Sequence, residues 1–167
     1  MVSLVPITAA NWRAALTVSV QPERQQWVSS VSPVALMILA KSYIRPDGQV
    51  WHPFTIVDDD ALVGVVAVGV DDPAAGVVQT AWLHHFLIDQ HRQGIGHGRS
   101  AMREIGRWLQ RTRPTVTLVG LCVLPENTTA FALYGSLGFE KIGVTTDGQH
   151  ILVATVAELC ESGGYPD

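Results

Sequence analysis

The chain has 167 residues and a formal net charge of −4, with 47% hydrophobic and 16% charged residues. This length suits one domain with one sizeable core, and the composition excludes a disordered chain. The acidic balance argues against a nucleic-acid partner, which demands a basic footprint, and no apolar run is long enough to cross a bilayer.

Residues 4–7 read as a short first strand, and Thr8 stands where it can cap a helix beginning near Asn11. A second helical stretch starts at Pro22, a favoured first-turn residue, and Pro33 interrupts it. Leu36, Leu39, Ala40 and Tyr43 then recur at helical spacing before the turn Arg45-Pro46-Asp47-Gly48. Residues 50–57 form a strand, 58–60 a tight acidic turn and 61–70 a strand apolar enough to be buried on both faces. Residues 71–76 are another turn, and 77–89 a strand rich in β-branched and aromatic residues. A glycine-rich loop at 93–98 leads into a helix with Ala101, Met102, Ile105, Trp108 and Leu109 on one face, ended by Arg113-Pro114. A strand at 115–124, a helix at 130–137 stopped by Gly138, and strands at 140–145 and 150–156 complete the chain. Strands alternating with helices point to an α/β or α+β domain.

Residues 1–5 lack a basic segment and a long apolar run, so no secretory signal is expected. The two cysteines, Cys122 and Cys160, cannot build a disulfide framework and have no neighbours at metal-ligand spacing. A reduced, cytoplasmic setting without a metal is the expectation. The turn acids Asp58, Asp59, Asp60, Asp71 and Asp72 read as solvated.

The loop His91-Arg92-Gln93-Gly94-Ile95-Gly96-His97-Gly98-Arg99 lies between a strand and a helix. N–H groups at a helix start are unsatisfied, the helix dipole favours an anion there, and glycines let main chain approach a phosphate. The loop is thus built like a pyrophosphate cradle; an ordinary turn with glycines for bending is the alternative. A P-loop is excluded because no Gly-Lys-Ser/Thr is present. A dinucleotide fingerprint is excluded because Gly94, Gly96 and Gly98 have the wrong spacing and no acid follows about 20 residues on.

With Gln93, Gly96 and Gly98, the chain resembles the GNAT acetyltransferase superfamily, whose signature is Gln/Arg-x-x-Gly-x-Gly/Ala. A second signature follows in the segment 125–139, with Asn127, Tyr134 and Gly138-Phe139 in the family's order. The amino-terminal half is similar to a narrower group, the bacterial spermine/spermidine (diamine) acetyltransferases. That likeness rests on Gln26-Trp27-Val28, Trp51-His52-Pro53-Phe54-Thr55-Ile56, Leu62-Val63-Gly64 and Phe86-Leu87-Ile88-Asp89, with Trp27 replacing an expected phenylalanine.

The resemblance implies a single N-acetyltransferase domain over residues 1–167, with an α+β GNAT fold. Its central sheet would be mixed and mostly antiparallel, flanked by helices and splayed at an acetyl-CoA cleft between the strand ending at Asp89 and the strand 115–124. Acetyl-CoA is the implied cosubstrate. Main chain at Leu87 and Ile88 would pair with the pantetheine arm. Gln93, Gly94, Ile95, Gly96, His97, Gly98 and Arg99 would hold the pyrophosphate, Arg92 and Arg99 would add charge, and Asn127 would touch the arm or simply cap a helix.

For the chemistry, the resemblance makes Tyr134 the expected donor of a proton to the departing thiolate; pattern alone, with Ala130, Leu133 and Leu137 at helical spacing, favours a place on the core face of its helix. His84 is the expected base and His85 the fallback, since strand alternation lets only one of them face the cleft. The oxyanion would be held by an N–H near Leu87 or Ile88. Transfer is expected to be direct, with Cys122 packing in its strand and not attacking. Glu23 and the Trp27, Trp51 and Trp82 rings are candidates to line an acceptor pocket for a cation. The implied acceptor is a primary amine of a small molecule, a polyamine such as spermine or spermidine being one candidate. An antibiotic, an amino acid, a protein N-terminus, or a non-catalytic acyl-CoA sensor are alternatives. Homodimers are common in the family and are expected here by analogy.

Overall fold

The computed structural model describes residues 1–71 and 79–161; the expected turn at 71–76 falls mostly outside them. Seven strands make one sheet in the order β1-β2-β3-β4-β5-β7-β6. They are β1 (Val2–Pro6), β2 (Val50–Asp58), β3 (Ala61–Val70), β4 (Gln79–Ile88), β5 (Val116–Val123), β6 (Glu140–Val144) and β7 (His150–Thr155). β4 and β5 run parallel and every other neighbouring pair is antiparallel. The sheet is mixed and mostly antiparallel, as expected.

The helices are α1 (Trp12–Ala15), α2 (Gln25–Val28), α3 (Val34–Ile44), α4 (His97–Thr112), α5 (Thr128–Gly135) and α6 (Val156–Glu161). They cover both faces of the sheet, giving two cores. On one face Met102, Ile105 and Leu109 of α4 pack with Phe54, Val66, Leu83 and Leu121. On the other, Val34, Ala35 and Ile38 of α3 pack with Trp51, Val65, Ala67 and Leu87. β3 is buried on both faces because it lies between these two layers, which explains its unbroken apolar run. Each fully buried Ile or Leu contributes roughly 1.5–3 kcal/mol, so these layers dominate stability.

α6 departs from expectation, since the last strand was read to run through 156. Thr155 and Glu158 form a reciprocal cap: the Glu158 N–H donates to Thr155 Oγ1 at 3.2 Å, and the Thr155 N–H donates to Glu158 Oε2 at 2.8 Å. The Thr-x-x-Glu spacing carried that signal. Elsewhere boundaries shift by a few residues, with α5 beginning at Thr128 and ending at Gly135.

Two irregularities shape the site. β4 and β5 pair only from Gln79↔Val116 to Leu83↔Leu121, so the remainder of β4 separates from β5. β4 is also bulged against β3: between the pairs Ala67↔His84 and Val65↔Leu87, both His85 and Phe86 stand opposite Val66. His85 takes the left-handed conformation at φ 53 that accommodates the extra residue.

Candidate active site

The separated ends of β4 and β5, the start of α4 and the inner side of α5 enclose a cleft of about 740 Å³. His84, Leu87, Ile88, Arg92, Gln93, Gly94, Gly96, His97, Gly98, Arg99, Asn127 and Tyr134 all line it. The fold thus brings together nearly every residue singled out in the sequence. Ile95 is the exception: its side chain is 70% exposed and is not among the lining.

At the loop, Gly94 and Gly96 have φ of 81° and 90°, and a Cβ on either would meet nothing within 4 Å. Glycine is needed there for its conformation and not for space. The first α4 amide to find an acceptor is that of Ser100, on the Gly96 carbonyl at 3.1 Å. The amides of His97, Gly98 and Arg99 are therefore the orphan donors of the helix start. The His97 side chain is otherwise engaged: Nδ1 lies 2.9 Å from the Arg92 carbonyl and Nε2 lies 3.1 Å from Asp58 Oδ2, so the ring is buried beneath the loop. It clamps the loop to the β2–β3 turn, and Asp58 is a partner in this clamp and not a merely solvated acid. Arg99 reaches Ser136 Oγ at 2.8 Å. Asn127 Oδ1 accepts the Ala130 N–H at 3.3 Å, so it caps α5 while still lining the cleft.

Leu87 and Ile88 differ in what they offer. The Asp89 N–H bonds the Val63 carbonyl at 2.8 Å. In an antiparallel ladder the bonded residues alternate, so Leu87 opposite Val65 is also committed to β3, and Ile88 opposite Gly64 turns its main chain the other way. The Ile88 carbonyl accepts from Gln93 Nε2 at 2.9 Å, and Gln93 Oε1 accepts from Arg24 Nη1 at 3.3 Å. The expectation that Leu87 offers free main chain is corrected: its main chain is committed to β3 and its side chain packs in the core, while Ile88 turns its main chain away from β3.

The bulge overturns the expectation that only one histidine faces the cleft. Strict alternation would place Leu83 and Leu87 on one face, yet they sit in opposite cores. With the phase shifted, His84 and His85 both line the cleft on the Trp51 side. The His84 ring stacks on Trp51 at 4.1 Å, and His85 lies 6.0 Å from it. His85 Nδ1 is 2.9 Å from the Val28 carbonyl, which ties this ring to α2. His84 Nε2 is 3.2 Å from Gln49 Oε1, and Gln49 Nε2 donates to Asp71 at 3.0 Å. A carboxylate only accepts, so the Gln49 amide orientation is fixed and its oxygen takes the proton of His84 Nε2. The neutral ring therefore keeps its lone pair on Nδ1. A Cβ on Gly69 would meet His84 Nε2 and Cδ2 at 3.0 and 3.2 Å, so Nδ1, the opposite vertex, turns away from β3. Burial pushes His84 down to about 4; the Asp47 charge opposes this, and His85 and Lys41 add to it.

Tyr134 is 7% exposed, packs 5.5 Å from Phe139, and belongs to the core while lining the cleft. Burial pushes its phenol well above the ordinary value, so it stays protonated. Cys122 corrects a further expectation: it is exposed on the cleft and does not pack in the core. Burial of the sulfur, and then the Asp147 charge, raise its thiol, which disfavours the nucleophilic thiolate. Trp27 and Trp82 line the cleft, Trp51 lies beneath it at 5% exposure, and Glu23 is not part of the lining. Lys41, Gln49 and Arg24 were not foreseen; each is a polar residue whose neighbours come from distant segments, so no local pattern marks it.

No helix among the described residues is long and apolar enough to cross a membrane. The model of the acetyltransferase (GNAT) family matches residues 9–139. No curated protein matches the chain in sequence. Among solved structures, the chain is similar to an aminoglycoside acetyltransferase in complex with coenzyme A, at 18% identity and TM-score 0.73 over 95% of this chain and 96% of that one. It is similar to spermidine N-acetyltransferase from Vibrio cholerae in complex with CoA and spermine, at 16% identity and TM-score 0.69 over 95% and 97%. It is also similar to a ribosomal-protein alanine N-acetyltransferase from Escherichia coli, at 19% identity and TM-score 0.62 over 93% and 94%.

Proposed function

The chain belongs to the acetyltransferase (GNAT) family, and on that premise we propose that it uses acetyl-CoA to acetylate the primary amine of a small molecule, the whole chain acting as one domain. The observation that carries this reading is the single cleft in which unspent amides at the α4 start, the outward-facing Ile88 main chain, Tyr134 and His84 converge. The residues present fit the cosubstrate. The amides of 97–99 and the open space over Gly94 and Gly96 receive a diphosphate, with Arg92 and Arg99 at hand for its charge. Ile88 offers an N–H on the cleft side for the pantetheine arm or the carbonyl oxygen.

Acetyl-CoA, when bound, supplies an acetyl group activated as a thioester. Tyr134 holds a proton at Oη in an apolar wall, where it can pass to the departing sulfur. His84 presents Nδ1 as an acceptor for the amine proton. An imidazole at about 4 does not strip a proton from a free alkylammonium, but an amine nitrogen becomes strongly acidic as it acylates, and then such an acceptor suffices. The raised thiol of Cys122 favours direct transfer in a ternary complex over an acyl-cysteine.

The test follows thiol release from acetyl-CoA with a panel of amines. Amine-dependent release is expected. Tight coenzyme binding with no release for any amine would overturn the enzyme reading in favour of a sensor. Polyamines, aminoglycoside-like antibiotics, amino acids and protein N-termini belong in the panel as the acceptor classes raised by the sequence.

A further inference from the structure

Resting on the N-acetyltransferase reading, we infer that the acceptor is a small amine that also carries a carboxylate, and that Lys41 is the residue that recognises it. No aspartate or glutamate lines the cleft among the described residues; its charged side chains are Arg24, Lys41, Arg92 and Arg99. Three of these belong to the loop end. Arg92 and Arg99 flank the α4 start, and Arg24 is hydrogen-bonded to Gln93. Lys41 alone stands at the other end, on α3, with its Nζ 5.4 Å from the centroid of the Trp51 ring on which His84 stacks. Its charge is felt by both His84 and His85.

The acids nearest this end are spent elsewhere. Asp47 accepts from Trp51 Nε1 at 3.2 and 3.3 Å and from the Gln49 N–H at 3.1 Å. Asp71 accepts from Gln49 Nε2. Neither is part of the lining. Lys41 has no carboxylate within ion-pair distance among the described residues. The Asp47 charge reaches His84 from outside the lining, but Lys41 is the charged side chain that lines this end among the described residues, so a carboxylate on the acceptor would pair with it directly while a second ammonium would meet a like charge in the cleft wall. Trp27 and Trp82 supply apolar walls for the carbon body between the two groups.

The experiment compares matched pairs of acceptors that differ only in the distal group, such as γ-aminobutyrate against putrescine, together with spermidine and a dipeptide. The carboxylate partners are expected to have kcat/KM at least ~30-fold higher, within the range of close charge-pair coupling. Lys41→Gln should raise KM for them ~10-fold with little change in kcat, Lys41→Arg should restore it, and Lys41→Glu should reverse the preference. Preference for the diamines, or a ratio untouched by Lys41→Gln, overturns the inference while leaving acetyl transfer standing. No turnover with any amine despite coenzyme binding defeats the transferase reading itself and the inference with it.

Discussion

The two ends of the cleft are built by different means. At the loop end the groups we propose for the coenzyme are main-chain amides, set by two positive-φ glycines and the start of α4, with the His97–Asp58 clamp beneath. At the end we propose for the acceptor they are side chains from α2, α3 and β4, with the β4 bulge turning both histidines inward. The difference teaches that a row of free amides is a property of backbone conformation, whereas the far end of the cleft takes its character from a few side chains brought together by packing.

The largest effect should come from breaking the main-chain end. Gly96→Glu forces a left-handed φ on a residue with a Cβ and adds negative charge, so coenzyme affinity by calorimetry should fall more than ~100-fold, about 2.8 kcal/mol at 1.4 kcal/mol per decade. An unchanged Kd would remove the loop from the site. Next, Tyr134→Phe should lower kcat ~100-fold, in the range of a lost proton donor, with KM for acetyl-CoA within about twofold. Turnover equal to the wild type would leave Tyr134 as a core residue only.

The acceptor end is sharpened by pH. His84 titrates at about 4 in the folded protein against 6.5 ordinarily. Below 6.5 the unfolded chain binds more protons, so stability conferred by the neutral ring is complete above 6.5 and lost as pH falls toward 4. Stability measured over that window should drop less in His84→Gln than in the wild type; equal slopes would place the acid sensitivity elsewhere. Gln49→Leu removes the acceptor that fixes the tautomer and should lower kcat ~10-fold, as for mispositioned bases. The smallest effect is expected from Cys122→Ser, with turnover within about twofold; a collapse to background would restore an acyl-cysteine route.

The loop end was legible because its signal is local. Gln93, Gly96 and Gly98 between a strand and a helix state the backbone conformation and its chemistry in one short segment. Tyr134 and Asn127 were legible by their place in a second motif. The histidine pair was only half legible, because period-2 reasoning assumes an unbroken strand, and the residue count opposite Val66 is visible only once β3 is paired. Lys41, Gln49 and Asp71 were invisible, since their meaning lies in contacts across segments far apart in the chain.

By itself, then, the sequence determined the strand and helix order as far as the last strand, the apolar central strand and the helix start that gathers unspent amides, because each depends on neighbours within a few residues. The tertiary structure alone decided that β4 shifts phase at His85, that Leu87 spends its main chain on β3 while Ile88 does not, that Cys122 opens onto the cleft, and that Lys41 lines it. Those outcomes turn on strand register and layer packing, which are set by the sum of many distant contacts and leave no periodicity in the chain.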